Sequence, residues 1–270
     1  MKIGNKDFPL GQRTYVMGIL NVTPDSFSDG GRYTELDQAL AQAQKMAEEG
    51  ADIIDIGGES TRPGYTAVSD EEEIGRVVPV IRELKKRLDI PLSVDTYKGN
   101  VAEAALAAGA DMVNDIWGLG HDAKIGEVTA AYGAPICLMH NRKEADYGDF
   151  LKDWRSDLEK SIERAKAAGI GEDRIILDPG VGFAKTYEQN LLAIKYMASL
   201  KELGYPVLLG TSRKSVIGLT LDLPKEERIE GTLATSVLAV TEGIDFVRVH
   251  DVKENVRAIR MAEAILSSQA

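Results

Sequence analysis

Cysteine is nearly absent, with Cys137 the one thiol in 270 residues. A single thiol excludes an internal disulfide and a thiolate zinc cluster, and its place inside the apolar run 134–139 marks it as a buried, inert side chain. Cations are also few: 32 Lys plus Arg stand against 43 Asp plus Glu, a formal net charge of −11. Nucleic-acid grooves need clustered Lys and Arg, so that deficit argues against one and leaves any anionic ligand to a local positive pocket. No apolar stretch approaches membrane-spanning length, and residues 1–10 alternate charge, Gly and apolar side chains unlike a targeting segment. The expectation is a soluble, cytoplasmic chain. A Gly-rich dinucleotide loop is missing too, because the first apolar run passes through Gly18-Ile19-Leu20-Asn21 into Val22-Thr23-Pro24.

What is present is a repeated unit. Eight apolar runs of strand length occupy residues 15–20, 53–56, 92–94, 112–113, 136–139, 175–177, 207–209 and 246–249. Between them lie stretches of helical spacing, such as Leu36, Leu40, Ala43 and Ala47, or Ile74, Val77, Val78, Ile81 and Leu84. Ser69 followed by Glu72 reads as a capping box at the start of the second of these helices. Glycines such as Gly50, Gly109, Gly133 and Gly243 end helical stretches, where a left-handed residue is needed. Strands alternating with helices imply parallel pairing, and eight units close a barrel. The fold predicted is α/β, a single (β/α)8 TIM barrel over residues 1–270, with residues 2–13 forming a hairpin-like extension that plugs its lower end.

Polar chemistry follows the strands. The runs lead in turn to Asn21, to Glu59-Ser60-Thr61-Arg62, to Asp95, to Asn114-Asp115, to His140, to Asp178, to Thr211-Ser212-Arg213-Lys214-Ser215, and to Arg248 with His250. In a parallel barrel all of these share the C-terminal rim, where barrel enzymes place their active sites. The opposite turns read Gly-Ala-Asp, Gly-Ala-Asp and Gly-Ile-Asp, which suits caps and turns, so the rims are unequal. Taken singly, Asp95 and Asp178 fit helix N-caps equally well, and Glu59 fits a simple pair with Arg62. Arg248 is harder to set aside. It interrupts Phe246-Val247-Arg248-Val249, alternation points it into the barrel, and an unpaired cation there is costly; its expected partner is Asp251 or a bound anion. His140 and Asp115 read as supporting residues behind the site.

These residues fall in ordered motifs. Residues 17–31, Gly57-Gly58-Glu59-Ser60-Thr61-Arg62-Pro63-Gly64, Ser93-Val94-Asp95-Thr96, Val113-Asn114-Asp115-Ile116, the segment 177–186, Gly210-Thr211-Ser212-Arg213-Lys214-Ser215 and Arg248-Val249-His250-Asp251 together resemble the dihydropteroate synthases. The resemblance covers nearly the whole chain and implies the reaction of a dihydropterin methyl diphosphate with 4-aminobenzoate, giving 7,8-dihydropteroate and diphosphate. It also implies Asp95, Asn114, Ile116, Asp178, Phe183, Gly210 and Lys214 around the pterin. Asn21, Arg62, Arg248 and His250 would meet the diphosphate, with Asn21 a ligand of Mg2+. Phe27, Thr61, Arg62, Pro63, Lys214 and Ser215 would hold the aminobenzoate. Asp95, Lys214, Arg248 and His250 are the expected catalytic residues.

The 2-amino group and N3–H of a reduced pterin form a planar donor pair that one carboxylate accepts in parallel, a task suited to Asp178. The loops 22–33 and 61–68, rich in Gly, Pro, Ser and Asp, have the composition of active-site lids. The competing function is a folate-binding, corrinoid-dependent methyltransferase, which shares the pterin barrel but needs no diphosphate site. A non-catalytic pterin-binding module would require altered loops or an altered Asn21. The resemblance also implies a homodimer formed through outer helices, residues 233–240 among them.

Overall fold

A computed structural model of the chain describes residues 1–23, 32–59 and 67–268. It opens with a short antiparallel hairpin, β1 (Lys2–Ile3) and β2 (Lys6–Asp7), turned at Gly4-Asn5, with Gly4 at φ 59°. Eight parallel strands follow: β3 (Tyr15–Asn21), β4 (Ile53–Gly57), β5 (Leu92–Asp95), β6 (Met112–Asp115), β7 (Ile136–Met139), β8 (Ile175–Asp178), β9 (Leu208–Leu209) and β10 (Phe246–Val249). Their order is β8-β7-β6-β5-β4-β3-β10-β9. A parallel bridge between Leu177 and Val207, with the Leu177 N–H donating to the Pro206 carbonyl at 2.9 Å, joins the two ends and closes the barrel.

Helices return each strand to the foot of the next: α1 (Arg32–Glu49), α2 (Asp70–Arg87), α3 (Gly99–Ala108), α4 (Lys124–Tyr132), α5 (Phe150–Ala167), α6 (Tyr187–Lys195), α7 (Ser215–Leu221), α8 (Ile229–Thr241) and α9 (Val252–Leu266). The expected capping box on α2 is half formed. Ser69 accepts from the Glu72 N–H at 3.2 Å, but the Glu72 carboxylate turns to Arg76 instead of reaching back. The complete box lies on α6, where Thr186 and Gln189 satisfy each other's backbone N–H groups.

Alternation along the strands divides the barrel interior into two layers. Tyr15, Met17, Ile53, Met112, Cys137, Ile176, Leu208 and Phe246 point inward low in the barrel and form one buried cluster with Ile3 and Phe8 of the extension. Phe8 meets Tyr15 edge-on at 4.9 Å and lies 6.0 Å from Phe246. The hairpin therefore stoppers the floor, as the sequence suggested, and burying Ile3 and Phe8 contributes about 1.5–3 kcal/mol each. Two residues further along the same strands, the inward positions become Asp55, Asn114, Asp178, Gly210 and Arg248. A dry apolar floor thus carries a charged upper layer.

Strands β3, β5, β6 and β8 run one or two residues beyond the apolar runs, so that Asn21, Asp95, Asn114, Asp115 and Asp178 belong to them instead of following them. Backbone pairing ignores side-chain polarity: Gly57 pairs with Asp95, Asp95 with Asn114, and Met139 with Asp178. At the opposite rim the Gly-x-Asp turns do the structural task expected of them. Asp52 accepts the Val16 N–H at 2.8 Å, Asp111 that of Leu92 at 2.9 Å, and Asp245 that of Val207 at 3.1 Å.

Candidate active site

Arg248 sits at the centre of the upper layer, between two carboxylates. Its Nε donates to Asp55 Oδ2 at 2.6 Å and its Nη2 to Asp95 Oδ2 at 2.6 Å. The expected alternative, Asp251, pairs with Arg213 instead. From β10 the guanidinium fork reaches the acids of β4, two strands away, and of β5, three strands away, whereas Asp251 lies beyond the end of β10 and is held by Arg213. Burial works against the Arg248 charge, but Asp55 and Asp95 outweigh it and hold its pKa above the ordinary value. Burial, only partly offset by Arg248 and reinforced by Asp55, pushes Asp95 up to about 7.

Asp55 was missed in the sequence, although the signal was there. It breaks Ile53-Ile54-Asp55-Ile56 as Arg248 breaks its own run, and it is wholly buried. Its Oδ2 also accepts from Asn114 Nδ2 at 3.0 Å, so one oxygen fixes both Arg248 and the Asn114 amide. Asp55 Oδ1, Asp95 Oδ1 and Ser93 Oγ are buried without a partner among the described residues, which marks this wall as a place for a ligand or water.

Asp178 stands across the cavity. Its Oδ1 accepts the Gly180 N–H at 2.7 Å, and burial raises its pKa against the pull of Lys214, Gly180 and Arg248. Gly210 explains how these groups share one mouth. A Cβ built there would lie 3.6 Å from Asp178 Oδ2, 3.8 Å from Lys214 Nζ and 3.9 Å from Arg248 Cβ. The missing side chain keeps that space open, between an acid and two cations. Lys214 donates to the Val181 carbonyl, lies 4.8 Å over the Phe183 ring, and is lowered to about 8 by burial. Ile116, Met139 and Tyr97 form an apolar wall beside Phe183.

Of the remaining expected residues, the described ones lie at the same rim. Asn21 ends β3, and its Oδ1 and the Asp95 Oδ2 each lie 3.7 Å from the place a Gly57 Cβ would occupy. His250 Nδ1 is 3.0 Å from Ser212 Oγ. Ser215 is exposed at the first turn of α7. Phe27, Thr61, Arg62 and Pro63 lie outside the described residues. Glu59, whose expected partner was Arg62, accepts from Tyr97 Oη at 2.6 Å and from Lys98. Asp115 and His140 prove to be supports. Asp115 accepts the Trp117 and Leu119 N–H groups at 2.9 and 2.6 Å, and His140, buried, lies between Lys185 and Asp157.

The upper layer therefore brings together a carboxylate, an amide and an ammonium next to a guanidinium, with buried oxygens of Asp55 and Asp95 left unpartnered among the described residues. That suits a flat heterocycle bearing an anionic arm. A family model described as pterin binding enzyme matches residues 17–250, and the chain belongs to that family. A curated dihydropteroate synthase of Clostridium beijerinckii is 58% identical over 267 residues, 98% of this chain and 99% of that protein. A Clostridium difficile dihydropteroate synthase crystallised in the presence of pteroic acid superposes with a TM-score of 0.94 at 53% identity, covering 97% of this chain and all of that one. The Xanthomonas albilineans enzyme in complex with 7,8-dihydropteroate gives a TM-score of 0.88 at 42% identity, covering 96% of each chain. Within the family the chain groups with the dihydropteroate synthases, which are transferases.

Proposed function

We propose that the chain joins a dihydropterin methyl diphosphate to 4-aminobenzoate, releasing diphosphate, in folate synthesis. The single observation that carries this is the absent side chain at Gly210, around which Asp178 Oδ2, Lys214 Nζ and the Arg248 stem converge within 4 Å. Asp178 accepts the 2-amino and N3–H protons, Asn114 and Asp95 meet neighbouring ring nitrogens, Lys214 reaches the ring carbonyl and N5, and Phe183 covers a face. Buried polar groups of this kind reject ligands that cannot pair with them. Arg248, His250 and Arg62 receive the diphosphate, whose developing charge needs fixed positive groups. Thr61, Pro63, Phe27 and Ser215, with the Lys214 stem, hold the aminobenzoate.

The residues at the rim also suit Mg2+. Asn21 offers a neutral oxygen, the Asp95 carboxylate stands near it with Oδ1 unpartnered among the described residues, and Gly57 leaves the space between Asn21 Oδ1 and Asp95 Oδ2 free of a side chain. Such a sparse, hard donor set fits an ion that keeps its waters and binds phosphate oxygens, whose charge it would neutralise. Asp95 supports a dissociative, SN1-like displacement by stabilising the cationic methylene carbon as diphosphate leaves. Asp95→Asn is expected to lower kcat by ~10²-fold while weakening pterin binding no more than a few-fold; equal losses in both would remove that role.

The deciding assay supplies both substrates with Mg2+ and follows dihydropteroate and diphosphate, then repeats the reaction with chelator. Stoichiometric formation of both, lost on chelation, is the expected result, and methyl transfer to a corrinoid would point to the related methyltransferases instead. The protein acts in the cytoplasm as a homodimer. Exposed Leu219 on α7 and Met261 and Ile265 on α9 support that pairing, which sedimentation at micromolar concentration will check. No described helix is long and apolar enough to cross a membrane.

A further inference from the structure

Behind the pterin slot lies a second lysine that the proposed reaction does not use. The loop between β8 and α6 carries Asp178 at its start and Phe183 near its middle, and it bends through positive φ at Gly180 (68°), Gly182 (86°) and Ala184 (41°). Three such residues in so short a span need something to hold them. Lys185 does so from within the loop. Its Nζ donates to the Gly180 carbonyl at 2.8 Å, the Phe183 carbonyl at 3.0 Å and His140 Nδ1 at 2.9 Å, which uses all three ammonium protons.

The acceptor imidazole is set in turn by its own partner. His140 Nε2 lies 3.3 Å from Asp157 on α5, so the tautomer carrying its proton on Nε2 leaves Nδ1 free to accept. Burial lowers His140 to about 4, which keeps the ring neutral at working pH. Asp157 is fixed by Arg142 Nε at 2.5 Å, and Arg142 lies 4.2 Å over the Tyr147 ring. Tyr147 Oη then donates to the Ala184 carbonyl at 2.8 Å. The neighbouring loop 141–149 therefore braces the pterin loop at two points, through His140 and through Tyr147. Gly180 is pressed so closely against this brace that a Cβ would lie 1.9 Å from the His140 carbonyl oxygen.

We infer that Lys185, accepting its orientation from His140, is a positioning residue for the pterin. It shapes the loop that presents Asp178 and Phe183; burial lowers its pKa to about 7, and its protonated form adds to the pull of Lys214 and Arg248 on the Asp178 carboxyl. The inference rests on the pterin-binding reading above. Lys185 touches no reacting atom, so its loss should weaken capture of the first substrate and leave the second untouched.

Chemical restoration tests this. Cys137 is buried, so a Lys185→Cys chain can be alkylated at position 185 alone. Titration with the dihydropterin methyl diphosphate should show about tenfold weaker binding for Lys185→Cys, with KM for 4-aminobenzoate within twofold of the parent. Aminoethylation, which returns an ammonium at nearly the original reach, should recover most of the affinity, whereas carbamidomethylation, which adds a neutral arm, should not. Equal recovery by both reagents, or equal loss for both substrates, overturns the inference. A second pair of variants works independently of that chain's folding. His140→Asn keeps an acceptor near the Nδ1 position and should bind the pterin within threefold of the parent, while His140→Leu should match the Lys185→Cys loss. Identical behaviour of the two would also overturn it. A parent chain that fails to bind the pterin would instead overturn the proposed function on which it stands.

Discussion

Arg248 spans Asp55 and Asp95, donating to one oxygen of each. Asp95 must be ionised to stabilise a cationic carbon, and burial places its pKa at about 7; Lys214 must be protonated to donate, and burial places it at about 8. The kcat/KM profile for the pterin substrate should therefore be a narrow bell, rising through about 7 and falling through about 8, with the rising limb absent in Asp95→Asn. Stability runs the other way. The folded pKa of Asp95 lies above the unfolded carboxylate value of about 4, so its contribution is fully present below that pH and is lost as pH rises through about 7. Urea melts at pH 5 and pH 8 should differ in that direction, and by less in Asp95→Asn. The site gains its reactive charge at the expense of fold stability.

At the scale of elements, the loop after β8 is the most tightly specified segment of the site. Gly180 has φ 68° and no room for a Cβ beside the His140 carbonyl. Gly180→Ala should cost about 2–3 kcal/mol and weaken pterin binding, which thermal melts and ligand titration will show together. Strand positions were legible in the sequence because apolar runs report burial directly, and Asp178, Asn114 and Lys214 were legible because they follow those runs. Asp55 was not, since an acid inside a strand looks like noise until its partner on β10, 193 residues away, is placed beside it. The Arg248–Asp251 pairing failed for a related reason: Arg248 points into the barrel, while Asp251 lies past the end of β10 at the start of α9, where Arg213 holds it. His140 was legible as a support because it follows the fifth apolar run, but its pairing with Lys185 was not, because it depends on two backbone carbonyls and a ring nitrogen that only the folded loops bring together.

At the scale of the molecule, the two-residue step from Phe246 to Arg248, or Ile53 to Asp55, separates what holds the barrel from what it binds. Phe8→Ala, which removes a ring from the floor, should destabilise the chain by about 3–5 kcal/mol with kcat at 25 °C unchanged, measured by denaturant unfolding and steady-state assay. The stoppered floor has a further consequence for traffic. With the floor closed, both substrates must share the C-terminal rim, and the pterin site proposed above, built on the inward Asp178 and Asn114, is expected to fill before the aminobenzoate binds over it. Product-inhibition kinetics should accordingly show dihydropteroate competing with the pterin substrate. By sealing its lower end with Ile3 and Phe8, the chain leaves the opposite rim as the common approach for whatever the upper layer binds.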